Sequence, residues 1–152
     1  MAIREIVTQP DDLLLKKSRP VEKFDEKLAQ LLDDMKDTLY KMDGVGLAAP
    51  QIGILRRICV IDVGEGLIEL INPEIIKTSG KQIETEGCLS CPGVWGTVKR
   101  PKKVTVRAFD RNGNVFEMKG EDLLARAFCH EIDHLDGVLF TSHVIDYVEW
   151  GL

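Results

Sequence analysis

Two hydrophobic periods run along this chain, and the change from one to the other divides it into elements. Over residues 21–42, Phe24, Leu28, Leu31, Leu32, Met35, Leu39 and Met42 recur three and four apart, the spacing of a single helical face. Gly44 supplies a stop for that helix. Core packing accounts for the stripe, so no chemistry is assigned to it. The middle of the chain reads as β. Residues 58–63 form a short strand ending at Gly64, and residues 67–71 form a second, closed by Asn72-Pro73. Residues 103–109 and 115–118 alternate around Asp110-Arg111-Asn112-Gly113, where Asn-Gly marks a tight hairpin turn. A second helix is predicted over residues 121–136, ending at Gly137. The order helix, strands, helix predicts an α+β fold with helices packed on antiparallel sheet. Neither a repeat nor an internal linker interrupts it.

Composition narrows the class. A chain of 152 residues fits one domain, residues 1–152, with a core of its own. Apolar residues at 44% and charged residues at 30% are ordinary for a soluble globular protein. No apolar run approaches the roughly 20 residues that span a bilayer, so no membrane partner is expected. Met1-Ala2-Ile3-Arg4-Glu5 lacks an export signature, which predicts a cytoplasmic protein. A net charge of −5 argues against a general nucleic-acid binder, and no DNA partner is expected. The basic cluster Lys99, Arg100, Lys102 and Lys103 reads as a solvated strand edge, with an RNA or ribosome contact as the alternative.

Four cysteines and three histidines carry the candidate chemistry. In a reducing compartment the cysteines point to metal binding or burial rather than to disulfides. Cys59, inside Ile58-Cys59-Val60-Ile61, reads as core. The sharpest local signal is His130-Glu131-Ile132-Asp133-His134. Residues four apart share one helix face, so both imidazoles can grip one cation. Glu131, beside the first of them, can reach a water on that cation and act as general base.

The third ligand decides the class. An extended HExxHxxGxxH pattern wants histidine where Phe140 stands, and His143 comes three residues too late. A downstream glutamate would have to be Glu149. Upstream, in Thr85-Glu86-Gly87-Cys88-Leu89-Ser90-Cys91-Pro92, a Cys88 thiolate would complete a Cys-His-His set with a position left open, as a catalytic site requires. Cys88 and Cys91 also form a CxxC pair, which would suit a redox or metal module. Pro92-Gly93, however, follows where a thioredoxin-like motif would open a helix, and Cys91 reads as an incidental small apolar residue. In Gly44-Val45-Gly46-Leu47-Ala48-Ala49-Pro50-Gln51, small residues such as Gly46 allow backbone to approach a ligand closely. Gln51 offers an amide donor to a developing oxyanion.

Three of these segments together resemble the peptide deformylase family. Residues 44–51 are similar to its GxGLAAxQ motif, residues 86–90 to EGCLS, and residues 130–137 to HExxHLxG, in the family's order and at similar separations. The resemblance implies antiparallel sheets packed around a central HExxH-bearing helix, with a helix near the amino terminus. It implies a metal held by Cys88, His130 and His134, with Glu131 as general base. Gln51 and the Leu89 backbone N–H would bind the oxyanion as a formyl group is hydrolysed from N-formylmethionyl nascent peptides.

Ligand chemistry alone suits Zn²⁺, whereas the family implies Fe²⁺, with Ni²⁺ or Co²⁺ as substitutes. Leu123 and Ala127 share a helical stripe with His130 and would floor a pocket for the methionine side chain. Val45 and Trp95 join them by motif position, and Arg126 is placed at the rim. Cys91 and Cys129 depart from the family's usual residues. The short tail after Phe140 lacks the long helix that touches the ribosome in many members, so any such contact would be transient. The competing reading is a zinc metallopeptidase of another HExxH type.

Overall fold

The computed structural model describes residues 2–149. Met1 and residues 150–152, the two ends of the expected domain, lie outside them. In chain order the elements are α1 (Glu26–Lys41), β1 (Gly46–Ala48), β2 (Ile58–Ile61), β3 (Ile68–Ser79), β4 (Gln82–Cys88), β5 (Cys91–Arg100), β6 (Lys103–Phe109), β7 (Val115–Glu121), α2 (Asp122–Leu135) and β8 (Val144–Val148). The fold is α+β. Among the described residues the strands form two antiparallel sheets, ordered β1-β2-β3-β6-β7 and β4-β5-β8.

The five-stranded sheet lies between the two helices. Ile58 and Val60 join Leu28, Leu32, Met35 and Leu39 of α1, whereas Cys59 and Ile61 join Ala125, Phe128, Ile132 and Leu135 of α2. Strand β2 is therefore buried on both faces, and this is why Ile58-Cys59-Val60-Ile61 is a continuous apolar run rather than an alternating one. Cys59 is core, as its surroundings in the sequence imply. A third apolar cluster of Leu14, Cys91, Val98, Leu139 and Phe140 underlies the smaller sheet.

Helix α1 starts later than its apolar stripe. The Asp25 carboxylate accepts from the Leu28 N–H at 3.0 Å and caps the helix. Val21, upstream of it, is extended and bonded through both backbone groups to the Asn72 side chain, at 2.8 and 2.9 Å. The stop also differs from the expected one. Asp43, with φ 54°, takes the left-handed position, and Gly44 closes the end by donating to Leu39 O at 3.1 Å.

Asn72-Pro73 does not end a strand. Strand β3 runs on to Ser79 through a bulge between Ile71 and Glu74 in its pairing with β6. Asn72 takes φ 51° there, a conformation asparagine tolerates, and the missing Pro73 N–H costs nothing at a bulge. The β6–β7 hairpin turns through Arg111-Asn112-Gly113, closed by Asp110 N–H donating to Asn114 O at 2.9 Å, with Gly113 at φ 84°. No described helix is long and apolar enough to cross a membrane.

Candidate metal centre

Three of the buried polar groups of helix α2 share one stripe. Arg126, His130 and His134 follow one another at intervals of four and are 4%, 8% and 1% exposed. The two imidazoles lie 5.1 Å apart, centre to centre. Cys88 reaches them from the end of β4, its Sγ 3.2 Å from His134 Nε2. The candidate ligand atoms of Cys88, His130 and His134 all lie within 4.8 Å of one another.

Glu86 sets the orientation of His130. It sits two residues before Cys88, on the same face of β4, and its buried carboxylate accepts from His130 Nδ1 at 2.8 Å. The proton held on Nδ1 leaves the Nε2 lone pair for a cation. Burial pushes the Glu86 carboxyl up, but bonds from His130 and Arg100 outweigh it and hold it at about 2. Arg100 donates to both Glu86 oxygens, at 2.9 and 3.0 Å, and to Asp133 at 2.8 Å. Arg126 also donates to Glu86, and to Val98 O at 2.9 Å. Burial, with the charges of His130 and Arg100, pushes the His134 imidazole well below its ordinary pKa, so it stays neutral with a lone pair to give. The Cys91 thiol, burial and the Glu131 charge all push the Cys88 thiol up, and a bound cation is what makes such a sulfur a thiolate ligand. Burial pushes the His130 imidazole down, but the Glu131 charge and the Glu86 carboxylate outweigh it and raise its pKa, so a cation would displace its Nε2 proton. A thiolate and two imidazoles, one of them oriented by a buried carboxylate, fit a divalent cation.

Glu131 lies against this cluster, fully inside the protein. Burial raises its carboxyl to about 7, the charge of Glu86 adding to the rise and that of His130 opposing it. Its Oε1 is buried with no partner among the described residues. Gly46 makes room for it, since a Cβ at that position would stand 2.5 Å from Glu131 Oε2. Gln51 is also fixed. Its Oε1 accepts from Ala48 N–H at 2.9 Å, which turns Nε2 toward Ser90 Oγ at 3.2 Å and Cys88 Sγ at 3.5 Å.

A cavity of about 460 Å³ opens on these groups, and every candidate residue from the sequence except His134 lines it: Val45, Gly46, Gln51, Cys88, Leu89, Trp95, Leu123, Ala127, His130 and Glu131. Ala127 is buried, but Leu123 is 49% exposed and stands at the mouth rather than the floor.

The distribution of these groups matches a known family throughout the chain. A family model described as polypeptide deformylase matches residues 3–150. The chain belongs to the polypeptide deformylase family. Its relatives include the peptide deformylase of Caldicellulosiruptor bescii, 62% identical over 148 residues that cover 97% of this chain and 89% of that protein. The crystal structure of the Thermotoga maritima peptide deformylase superposes with a TM-score of 0.93 at 41% identity, covering 95% of this chain and 99% of that one. The Synechococcus elongatus peptide deformylase, in complex with actinonin, gives 0.91 at 40% identity, covering 94% and 79%. As a peptide deformylase the chain is a hydrolase. The family is metal-dependent, and the Cys88–His130–His134 cluster is a possible site for its metal.

Two arginines stand elsewhere than their sequence surroundings suggest. Arg126 is not at a rim but under the cavity, tied to Glu86 and Val98. Arg100 does not belong to a solvated basic edge; it is 6% exposed, although Lys99, Lys102 and Lys103 are exposed. Both turn inward because the buried Glu86 carboxylate needs donors. The role of Glu86 was not legible in the sequence, which shows it only as part of the segment before Cys88; its contact with His130, 44 positions away, comes from the fold.

Proposed function

We propose that the chain, acting as a single catalytic domain, removes the N-formyl group from the amino-terminal formylmethionine of newly made polypeptides and releases formate. One divalent cation would be held by Cys88 Sγ and by the His130 and His134 imidazoles, on a helix α2 around which the two sheets close. The observation that carries this reading is the clustering of those three donors beside a cavity whose wall carries Cys88, His130 and Glu131, the Glu131 Oε1 having no partner among the described residues. The cation is Fe²⁺ by family resemblance, with Ni²⁺, Co²⁺ or Zn²⁺ as substitutes. Bound there, it supplies Lewis acidity, acidifying water and polarising a carbonyl.

The chain's own groups do the rest. Glu131 takes a proton from the attacking water at a carboxylate oxygen and passes it to the leaving amine nitrogen. The Gln51 amide, turned by Ala48, and the Leu89 backbone N–H donate to the formyl oxygen as charge develops on it; loss of one such donor typically costs about 2.7–4 kcal/mol of transition-state stabilisation. Gly46 leaves the space that Glu131 occupies and lets substrate backbone come close. Val45, Trp95, Leu123 and Ala127 offer apolar walls for the methionine side chain. The work is cytoplasmic, on nascent chains, with at most a transient ribosome contact.

The test is formate release from a formyl-methionyl tripeptide by protein purified without oxygen and loaded with Fe²⁺, Ni²⁺ or Zn²⁺. Glu131→Gln is expected to keep its metal and lose roughly 10²–10⁴-fold in turnover. Metal-loaded protein that releases no formate but cuts internal peptide bonds would replace this reading with the metallopeptidase one.

A further inference from the structure

We infer that Cys91 is a resolving cysteine: when a peroxide oxidises Cys88, Cys91 captures it as a Cys88–Cys91 disulfide, a reversible modification of the cavity wall. The placement is specific. Cys88 ends β4, Cys91 begins β5, and only Leu89-Ser90 lies between, so the two face each other as cross-strand partners. Such partners have Cα atoms about 4.5–5.5 Å apart, inside the range of roughly 4.4–6.8 Å that a disulfide spans. Side chains at paired positions leave the ladder on the same side, so the two thiols stand beside one another. Beyond the pair the register slips, with Gly87 opposite Trp95, leaving Pro92, Gly93 and Val94 looped out to absorb any closing movement. Both residues border the cavity, Cys88 partly exposed and Cys91 buried beside it, so a small oxidant meets Cys88 first. Cys59 and Cys129 are buried and do not line it.

The electrons balance in two steps. The Cys88 sulfur attacks one peroxide oxygen, the O–O bond breaks, the leaving hydroxide takes the thiol proton as water, and Cys88 carries a sulfenic acid. The Cys91 sulfur, giving up its proton, then attacks the Cys88 sulfur. The S–S bond forms, the S–O bond breaks, and hydroxide leaves with that proton as water. Two thiols are oxidised by two electrons and one peroxide is reduced. A thiol reductant reverses the product by exchange. Without Cys91 the sulfenic acid proceeds to sulfinic acid, which a thiol does not reverse. On the reading that Cys88 is a metal ligand, the disulfide also withdraws that ligand and releases the cation.

The experiment titrates metal-loaded protein, purified without oxygen, with hydrogen peroxide. It reads free thiols, peptide masses and metal captured by a chelator. In the natural sequence two of the four thiols are expected to disappear together, giving a linked peptide lighter by about 2 Da and full thiol recovery with dithiothreitol. Cys91→Ser and Cys91→Val are expected to lose one thiol for good, with Cys88 heavier by about 32 Da. Mapping the natural protein needs no variant, so poor folding of either variant leaves the test intact. Sulfinic Cys88 beside a free Cys91 in the natural protein, or metal release without the disulfide, overturns the inference. A disulfide formed while the metal stays bound sustains it and counts against Cys88 as a ligand.

Discussion

Helices α1 and α2 flank the same sheet and bury similar apolar faces, yet they treat their buried polar groups in opposite ways. On α1 the buried Asp34 carboxylate accepts from the Ala2 N–H, from Arg4 and from Gln30, each contact between 2.8 and 3.0 Å. Thr38 Oγ accepts from Arg4 N–H and donates to Asp34 O, both at 2.8 Å. Every one of these groups is satisfied. On α2 Arg126 is as fully tied and His130 is tied through Nδ1, but Glu131 Oε1 and His134 Nδ1 have no partner among the described residues. Buried polar atoms without partners are costly and rare in a folded protein. A network closed on itself is architecture; one left open beside a cavity is held ready for something that arrives later.

The largest effect that would sharpen this contrast is expected from Glu86→Gln. It leaves Arg100 and Arg126 buried against a neutral amide, which should cost about 3–5 kcal/mol in urea unfolding. Metal affinity should fall roughly 10–100-fold in a competitive chelator titration, because His130 loses the carboxylate that orients it. Unchanged metal affinity would show that the network is architecture alone. Next comes Leu32→Ala on α1, where the side chain is fully buried. It should cost about 2–5 kcal/mol while turnover per folded molecule stays the same. A turnover loss beyond the loss of folded protein would break the division between the two helices.

The smallest effect is acid sensitivity on α1. Burial raises the Asp34 carboxyl, but bonds from Arg4, Gln30 and Ala2 N–H outweigh it and bring it from 3.8 to about 2. A carboxyl lowered on folding stabilises the protein above its ordinary pKa, and that stability is lost as pH falls through the folded value. The natural protein should therefore lose on the order of 1–2 kcal/mol relative to Asp34→Asn between 3.8 and about 2. Parallel stability curves for the two proteins in that window would remove the pair from the comparison.

Both helices and the β6–β7 hairpin were legible because their periods are long and unbroken. The candidate ligands were legible because histidines are few and two of them share a helix face. The β4-β5-β8 sheet was not. Polar Glu84 and Thr85, then Gly87, Pro92, Gly93 and Gly96, interrupt the alternation there, and β8 joins β5 from about 50 positions further along the chain. Arg100 and Arg126 were unreadable for a related reason. A charge says nothing of its partner, and Glu86 is 14 and 40 positions away from them. The extension of β3 past Asn72-Pro73 depended on Val21, on the far side of α1 in sequence, to hold the bulge.

The double burial of β2 has a consequence for how the molecule breathes. Its amides are shielded by α1 and α2 above and below and bonded to β1 and β3 on either edge. They should exchange hydrogen with solvent only when the whole protein opens, on the slowest clock it possesses. Gly46, the space-maker for Glu131, pairs directly with Ile61 of that strand. The wall behind Glu131 is thus anchored to the segment expected to open last.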